Sequence, residues 1–198
     1  VRMGQAIMAL KQTTAPSVAA VTLGDAKLHL RVDGVAEDTL ITALVQAATD
    51  AAEHHTGRAI MPQAWQLTLD AFPRVVELTR IPVTAVTSIK YDDTTGVEQT
   101  LAPDQYRLSN ADEYGIATIV PAFGKAWPST MAQGDAVRVI YAAGYADAAH
   151  VPESIKSWIK LAVGSLYENR EAERTANCAM AALGFADRLL DRYRVYKL

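Results

Sequence analysis

The sequence has a single cysteine, Cys178, and no long apolar run. One cysteine cannot form an internal disulfide, so the sequence gives no sign of an oxidising compartment. No stretch approaches the roughly 20 apolar residues that a membrane-spanning helix needs. The short apolar stretch at 6–10 is interrupted by Lys11 and is too short for a signal peptide. We therefore expect a soluble intracellular protein, or part of an intracellular assembly.

The motifs that usually carry catalysis or phosphate binding are also missing. No glycine lies in a G-x-G-x-x-G or G-x-x-x-x-G-K pattern, and no serine lies in G-x-S-x-G. His54 and His55 are adjacent on a predicted helix and point to different faces, so they do not form the i, i+4 pair of a zinc helix. We expect no enzymatic activity, no catalytic or metal-binding residues and no cofactor.

Charge is too mild to indicate nucleic-acid recognition across the whole chain. The net charge is −3. A DNA-recognition helix needs several basic residues on an exposed face. The predicted helix over residues 37–56 contains no lysine or arginine and carries four acidic side chains. A DNA-binding regulator is therefore disfavoured.

The clearest element that is present is a helix over residues 151–174. Its apolar residues recur at the three-four spacing of one buried helical face. Charged residues collect in its last two turns, which places its far end in water or against a partner. The residues of this stripe that we expect in the core are Ile155, Trp158, Ile159 and Leu166.

Two helices are predicted near the N-terminus, after an extended arm over residues 1–21. Thr22 and Asp25 have the spacing of a capping box and start the first helix. The second begins near Asp38, ends at Gly57 as a left-handed cap, and includes Leu40 and Leu44 on its predicted buried face.

At Pro62 the apolar period changes from about 3.6 to 2, which indicates strands. Asp92 and Asp93 begin a polar turn between two strands, hence a hairpin, and Trp127 lies in a later loop. We predict an α+β fold in which N- and C-terminal helices form an α-helical bundle with an inserted antiparallel β domain. The expected ranges are 1–21 for the arm, 22–60 plus 150–183 for the bundle, 61–149 for the β domain and 184–198 for a C-terminal docking segment.

The last fifteen residues combine aromatic and basic side chains. Tyrosine and arginine are common anchors of protein interfaces. A helix this short is marginal in water, so its apolar side needs cover from the bundle or from a partner. The residues that we expect to dock are Phe185, Arg188, Leu189, Arg192, Tyr193, Arg194, Tyr196 and Lys197.

A different class of function remains open for the β domain. Asp92, Asp93 and Trp127 would be suited to a cleft of a small-ligand or sugar-binding module, or of an enzyme. Against this reading, strand ends of the β domain carry no paired polar groups. The same three residues are otherwise interpreted as a possible interface loop.

Three pieces of the chain together resemble a known family. The first is TLGDAKLHLRVD, followed by a helix that ends in HHTGR. The second is a β region with IPVTAVTSIKYDD, YRLS and WPST. The third is AGY, then VPESIKSWIKLAVGSLYENREA. Their order, over roughly 22–174, resembles the head–tail connector (adaptor) proteins of long-tailed bacteriophages and prophages, in the longer version with a β insertion.

The resemblance implies a structural virion protein in the neck, assembled in the host cytoplasm. Members form a homo-oligomeric ring, typically a dodecamer, between the portal protein and a further connector, stopper or tail-completion protein. The ring extends the channel for double-stranded DNA without sequence-specific binding, and no membrane is involved. The C-terminal segment reaches towards the portal, so deletion of 184–198 is expected to leave a folded protein that cannot join filled heads.

Overall fold

The computed structural model of the protein describes residues 9–109, 115–169 and 184–195. The fold is α+β, as the sequence predicts. It divides into two compact units. The β unit consists of the chain up to Pro16 together with Pro62–Gly144, and the helical unit consists of Ser17–Met61 and the chain from Tyr145 onward. Cys178 lies outside the described residues.

The helical unit contains four helices within the described ranges. α2 packs against α3, α1 lies against both, and α4 packs on α3 and α2. One apolar cluster, which includes Ile41, Val45, Ile155 and Val163, fills the space between them. The helices are α1 (Leu23–Leu30), α2 (Asp38–Thr56), α3 (Glu153–Glu168) and α4 (Gly184–Asp191).

Local sequence sets the ends of the first two helices. Thr22 accepts a hydrogen bond from the backbone N–H of Asp25, while Asp25 accepts one from Thr22, which completes the predicted capping box. Gly57 ends α2 with φ of 75°, a conformation that suits glycine. At the start of α3, Pro152 takes the N-cap position, so the helix begins at Glu153, two residues after the predicted start at 151.

Within the described residues, the β unit contains two antiparallel sheets. The larger has the strand order β1-β2-β8-β4-β5 and the smaller has the order β3-β7-β6. Seven of these strands, β2 to β8, lie beyond Pro62, in the region where the change of period indicates strands. The eight strands found in the described part of the chain are β1 (Ala9–Thr14), β2 (Gln63–Leu69), β3 (Val76–Leu78), β4 (Val83–Asp92), β5 (Glu98–Thr100), β6 (Tyr106–Ser109), β7 (Ala117–Pro121) and β8 (Val137–Ala143).

The core of the larger sheet lies along two neighbouring inner strands, β2 and β8. Along β2 and β8 every second side chain is buried, including Leu67, Val139 and Tyr141. This is the pattern of a strand with one face against a core. Burial raises the pKa of the Tyr141 hydroxyl to about 12, because the charged form would lose its hydration.

Part of the expected N-terminal arm is a strand of this sheet. β1 pairs antiparallel with β2, with Leu10 opposite Leu67, and the register shifts between Gln12 and Thr14. Its side chains are mostly exposed. Weak periodicity is expected of such an edge strand, since it buries almost no apolar face.

Candidate functional site

The C-terminal segment, the main candidate for docking, is partly built into the helical unit. Leu190 is fully buried and Tyr193 is 7% exposed, and both belong to the apolar cluster of the bundle. Leu189 packs against the same cluster. The bundle therefore covers the apolar side of α4, and Tyr193 belongs to the core rather than to an exposed docking surface.

Arg58 ties the end of this segment to the end of α2. The Arg58 side chain is 1% exposed, and its Nε donates a hydrogen bond to the backbone carbonyl of Tyr193. Its guanidinium carbon lies 5.8 Å from the centroid of the Tyr193 ring. Two residues after Tyr193, the Val195 N–H donates a hydrogen bond to the Thr56 carbonyl at 2.8 Å. Sequence reasoning missed Arg58, because its partner is 135 residues away in the chain.

The basic side chains of the segment remain at the surface. Arg188, Arg192 and Arg194 are exposed. Arg188 lies within α4, and Arg192 and Arg194 lie just after its C-terminal end. The apolar residues Leu189, Leu190 and Tyr193 face the bundle. Three of the expected docking positions, the side chain of Phe185 and residues Tyr196 and Lys197, lie outside the described residues.

The predicted core positions divide into two groups. Ile155 and Ile159 are fully buried, Trp158 is 9% exposed, and Leu44 packs partly buried against the cluster. The Trp158 ring stacks on the imidazole of His55 with centroids 6.5 Å apart.

Leu40 and Leu166 lie at the surface rather than in the core, with 36% and 43% exposure. Leu40 is one residue before the buried Ile41, which turns it by about 100° around the helix. Leu166 lies in the last turn of α3, beyond the last fully buried position of that helix, Val163.

Asp92 and Asp93 are engaged in holding the β4–β5 hairpin. Arg138 on β8 binds Asp92 through two hydrogen bonds of 2.6 and 3.1 Å, and reaches Glu98 at 3.0 Å. The hydrogen bond from Arg138 holds the pKa of Asp92 below its usual range. Asp93 accepts hydrogen bonds from Thr95 and Gln99 and from backbone N–H groups of the turn, which strongly lowers its pKa.

Trp127 packs in an aromatic stack close to these aspartates. Its ring is parallel to that of Phe72 with centroids 4.8 Å apart, and Phe72 meets Tyr91 edge-on at 5.7 Å. The backbone N–H of Met131 donates to the Asp92 carbonyl at 3.0 Å, which joins the loop to the hairpin. The three residues therefore do lie near one another, but they are used in packing and turn formation. Their arrangement gives no support to a ligand cleft.

The lowered pKa values predict an acid-sensitive β unit. Carboxylates whose pKa falls on folding stabilise the fold above their unfolded pKa of about 4, and that contribution is lost as the pH falls through the folded value. Asp92→Asn should lower the thermal unfolding midpoint at pH 7 and reduce its change between pH 7 and pH 3. Asp104→Asn, an exposed carboxylate outside the network, should match the parent. Equal pH dependence in parent and Asp92→Asn would refute this role.

Within residues 9–109, 115–169 and 184–195, no group of three or more histidine, cysteine, aspartate or glutamate side chains could hold a metal ion. Among those same residues, no helix is long and apolar enough to cross a membrane.

Comparison with known proteins gives one family match and several similar structures. Residues 20–104 match the model of the phage gp6-like head-tail connector protein. No curated protein matches the chain. A chain in the virion of a native gene transfer agent (GTA) particle is 26% identical, with 96% of each chain covered and a TM-score of 0.78.

Two further similar structures are of particle necks. One is the neck of an empty GTA particle computed with C6 symmetry, with 24% identity and a TM-score of 0.77. The other is the neck of a native GTA particle computed with C12 symmetry, with 25% identity and a TM-score of 0.75. Each match covers 96% of this chain and 97% of the other. The likeness therefore includes both units of the chain.

Proposed function

Since the family model confirms the resemblance to the head–tail connectors, we propose that this chain is a structural, non-catalytic protein of the neck of a phage-like particle. The observation that carries the proposal is the match to a chain of the GTA virion over 96% of both chains, at a TM-score of 0.78. The match also includes residues 105–144 of the β unit, which lie beyond the segment of the family model. The chain would be assembled in the host cytoplasm and reside at the head–tail junction.

The proposed assembly is a homo-oligomeric ring, with a dodecamer as the expected form. A similar chain occurs in a neck computed with C12 symmetry, which supports this order of symmetry. The ring would extend the DNA channel and offer a platform for a further connector, stopper or tail-completion protein.

Double-stranded DNA would pass through the ring without sequence-specific binding. Affinity for DNA grows with each phosphate that a basic side chain neutralises, so a basic wall would hold the DNA back. α2 carries no lysine or arginine, and its acidic residues include the exposed Asp50 and the partly buried Glu53. A helix of this charge is suited to the channel wall.

The proposed contact with the portal protein uses the basic surface of the C-terminal segment. Arg188, Arg192 and Arg194 are exposed, and arginine pairs well with carboxylates in an interface. Phe185, Tyr196 and Lys197 would complete this surface. Tyr193 and Leu190 would pack the segment against the bundle, so that the exposed arginines have fixed positions on its surface.

Charge reversal at this surface tests the docking role. The double variant Arg188→Glu, Arg192→Glu should keep the parent's circular dichroism but lose co-sedimentation with tailless, filled heads. The control is Arg74→Glu, Arg107→Glu, which reverses two exposed charges of the β unit and should co-sediment like the parent. Undiminished binding of the first variant would remove these arginines from the docking surface.

A further inference from the structure

One side chain of the β unit projects from the protein in an unusual way. Phe123 is as exposed as in an extended peptide, with 106% relative exposure. It occupies a tight turn in which the Lys125 N–H donates to the Ala122 carbonyl at 2.9 Å. Gly124 follows with φ of 74°, which the third position of a type II turn requires. The turn therefore directs a bare aromatic ring into solvent.

The turn rests on a fixed base. The Ala122 N–H donates to the Gln105 carbonyl at 2.9 Å, which ties the turn to the neighbouring 3₁₀ turn, Pro103–Gln105. On its other side, Trp127 is held in the stack with Phe72. A large apolar side chain on an ordered support is typical of an interface anchor, because little conformational freedom is lost when it is buried.

The helical unit offers an open groove along α1 and the loop after it, of about 720 Å³. Leu28 and Val32 contribute its apolar part, and Leu28 is 80% exposed. Val35, next to the lining residue Gly34, is 79% exposed. The charged lining residues are Lys27, Arg31 and Asp33, and Lys27 is paired with Asp38. We call this surface the α1 groove.

The charges beside Phe123 and those of the α1 groove are complementary. Lys125 lies two residues after Phe123. Asp104 lies on the other side, because it precedes Gln105, whose carbonyl accepts the hydrogen bond from the Ala122 N–H. Among the described residues, no salt bridge uses Arg31, Asp33 or Lys125. With Lys27 held by Asp38, each surface therefore offers an apolar centre with one further cation and one anion at its rim.

We propose that Phe123 of one copy inserts into the α1 groove of the next copy in the ring, with Lys125 facing Asp33 and Asp104 facing Arg31. A closed ring of identical chains needs two different surfaces that fit each other, and this pair meets that requirement. The inference rests on the proposed function, since it assumes the ring. It adds the residues through which neighbours would recognise each other.

Photo-cross-linking tests the contact directly. Phe123 is replaced by p-benzoylphenylalanine, an aromatic residue that suits the same groove, and heavy-isotope and unlabelled copies are mixed before particle assembly. Irradiation should give cross-links between position 123 of one copy and 23–35 of another. The same replacement at Val97, a 54% exposed apolar residue of the hairpin, should not reach that segment.

The outcomes separate this contact from the neck role. Cross-links from position 123 to another region or another protein, in particles with an intact neck ring, would overturn the contact and leave the neck role standing. A neck that does not contain this chain would overturn both.

Charge reversal gives an independent test. Lys125→Glu and Asp33→Lys should each reduce incorporation into necks, because each places like charges together, and the double variant should recover it. Phe123→Ala should weaken association between copies by roughly tenfold or more, while Val97→Ala should not. All are surface changes, so circular dichroism should match the parent. Failure of the double variant to recover, together with normal incorporation of Phe123→Ala, would overturn the proposal.

Discussion

Tyr193→Ala is expected to destabilise the helical unit by about 3–5 kcal/mol, the usual cost of removing a buried aromatic side chain. Tyr193 is 7% exposed in the bundle core, and its backbone carbonyl accepts a hydrogen bond from the buried Arg58. Loss of the ring would also leave the Arg58 guanidinium without its aromatic neighbour. Chemical denaturation followed by circular dichroism measures the effect.

The control for this variant is an exposed neighbour. Asp191→Ala lies two residues earlier on the outer side of α4 and should change the free energy of unfolding by no more than about 0.5 kcal/mol. If Tyr193→Ala were as stable as Asp191→Ala, the segment would not belong to the core.

The same contacts change the expectation for deletion of 184–198. The sequence alone predicts a folded truncated protein that cannot dock. Leu190 and Tyr193 lie in the core, so truncation should instead lower the stability of the bundle. For this reason the docking role is tested by surface arginines and not by truncation.

Trp158→Ala is the second substitution with a large expected effect, again about 3–5 kcal/mol. The side chain is 9% exposed within the core cluster and stacks on His55. Leu166→Ala on the same helix is the matched comparison, because Leu166 is 43% exposed and should have a much smaller effect. An unchanged melting temperature in Trp158→Ala would show that the apolar stripe of α3 does not face the bundle.

Local signals in the sequence account for most of the secondary structure. The capping box at Thr22, the glycine at the end of α2 and the change of period at Pro62 each have short-range causes. The strands from β2 to β8 carry alternating side chains or flanking turn residues. These features need no knowledge of distant partners, so a single sequence is enough to predict them.

Long-range pairing explains what the sequence did not show. β1 has almost no buried face, and only its pairing with β2 defines it as a strand. The burial of Arg58 depends on Tyr193, far along the chain. The exposure of Leu40 depends on how much of α2 its neighbours cover. Each of these depends on tertiary packing rather than on local pattern.

For the C-terminal segment, the sequence predicts the kinds of side chain but not which of them are buried. The aromatic and basic character of the C-terminus is visible in the sequence, but the division between a buried Tyr193 and exposed arginines is not. In the same way, Asp92, Asp93 and Trp127 do lie close together. Arg138, which donates hydrogen bonds to Asp92, lies on a strand 46 residues later. Nothing in the sequence near Arg138 indicates this pairing.

The central claim, that this chain is a structural protein of the particle neck, is tested most directly by imaging particles that carry a visible tag. The tag is inserted at the tip of the β4–β5 hairpin, residues 94–96, whose side chains are exposed. A reconstruction of tagged particles should show the extra density as a ring between head and tail, with one tag for each copy. Tag density elsewhere in the particle, or intact necks that lack the tag, would contradict the account.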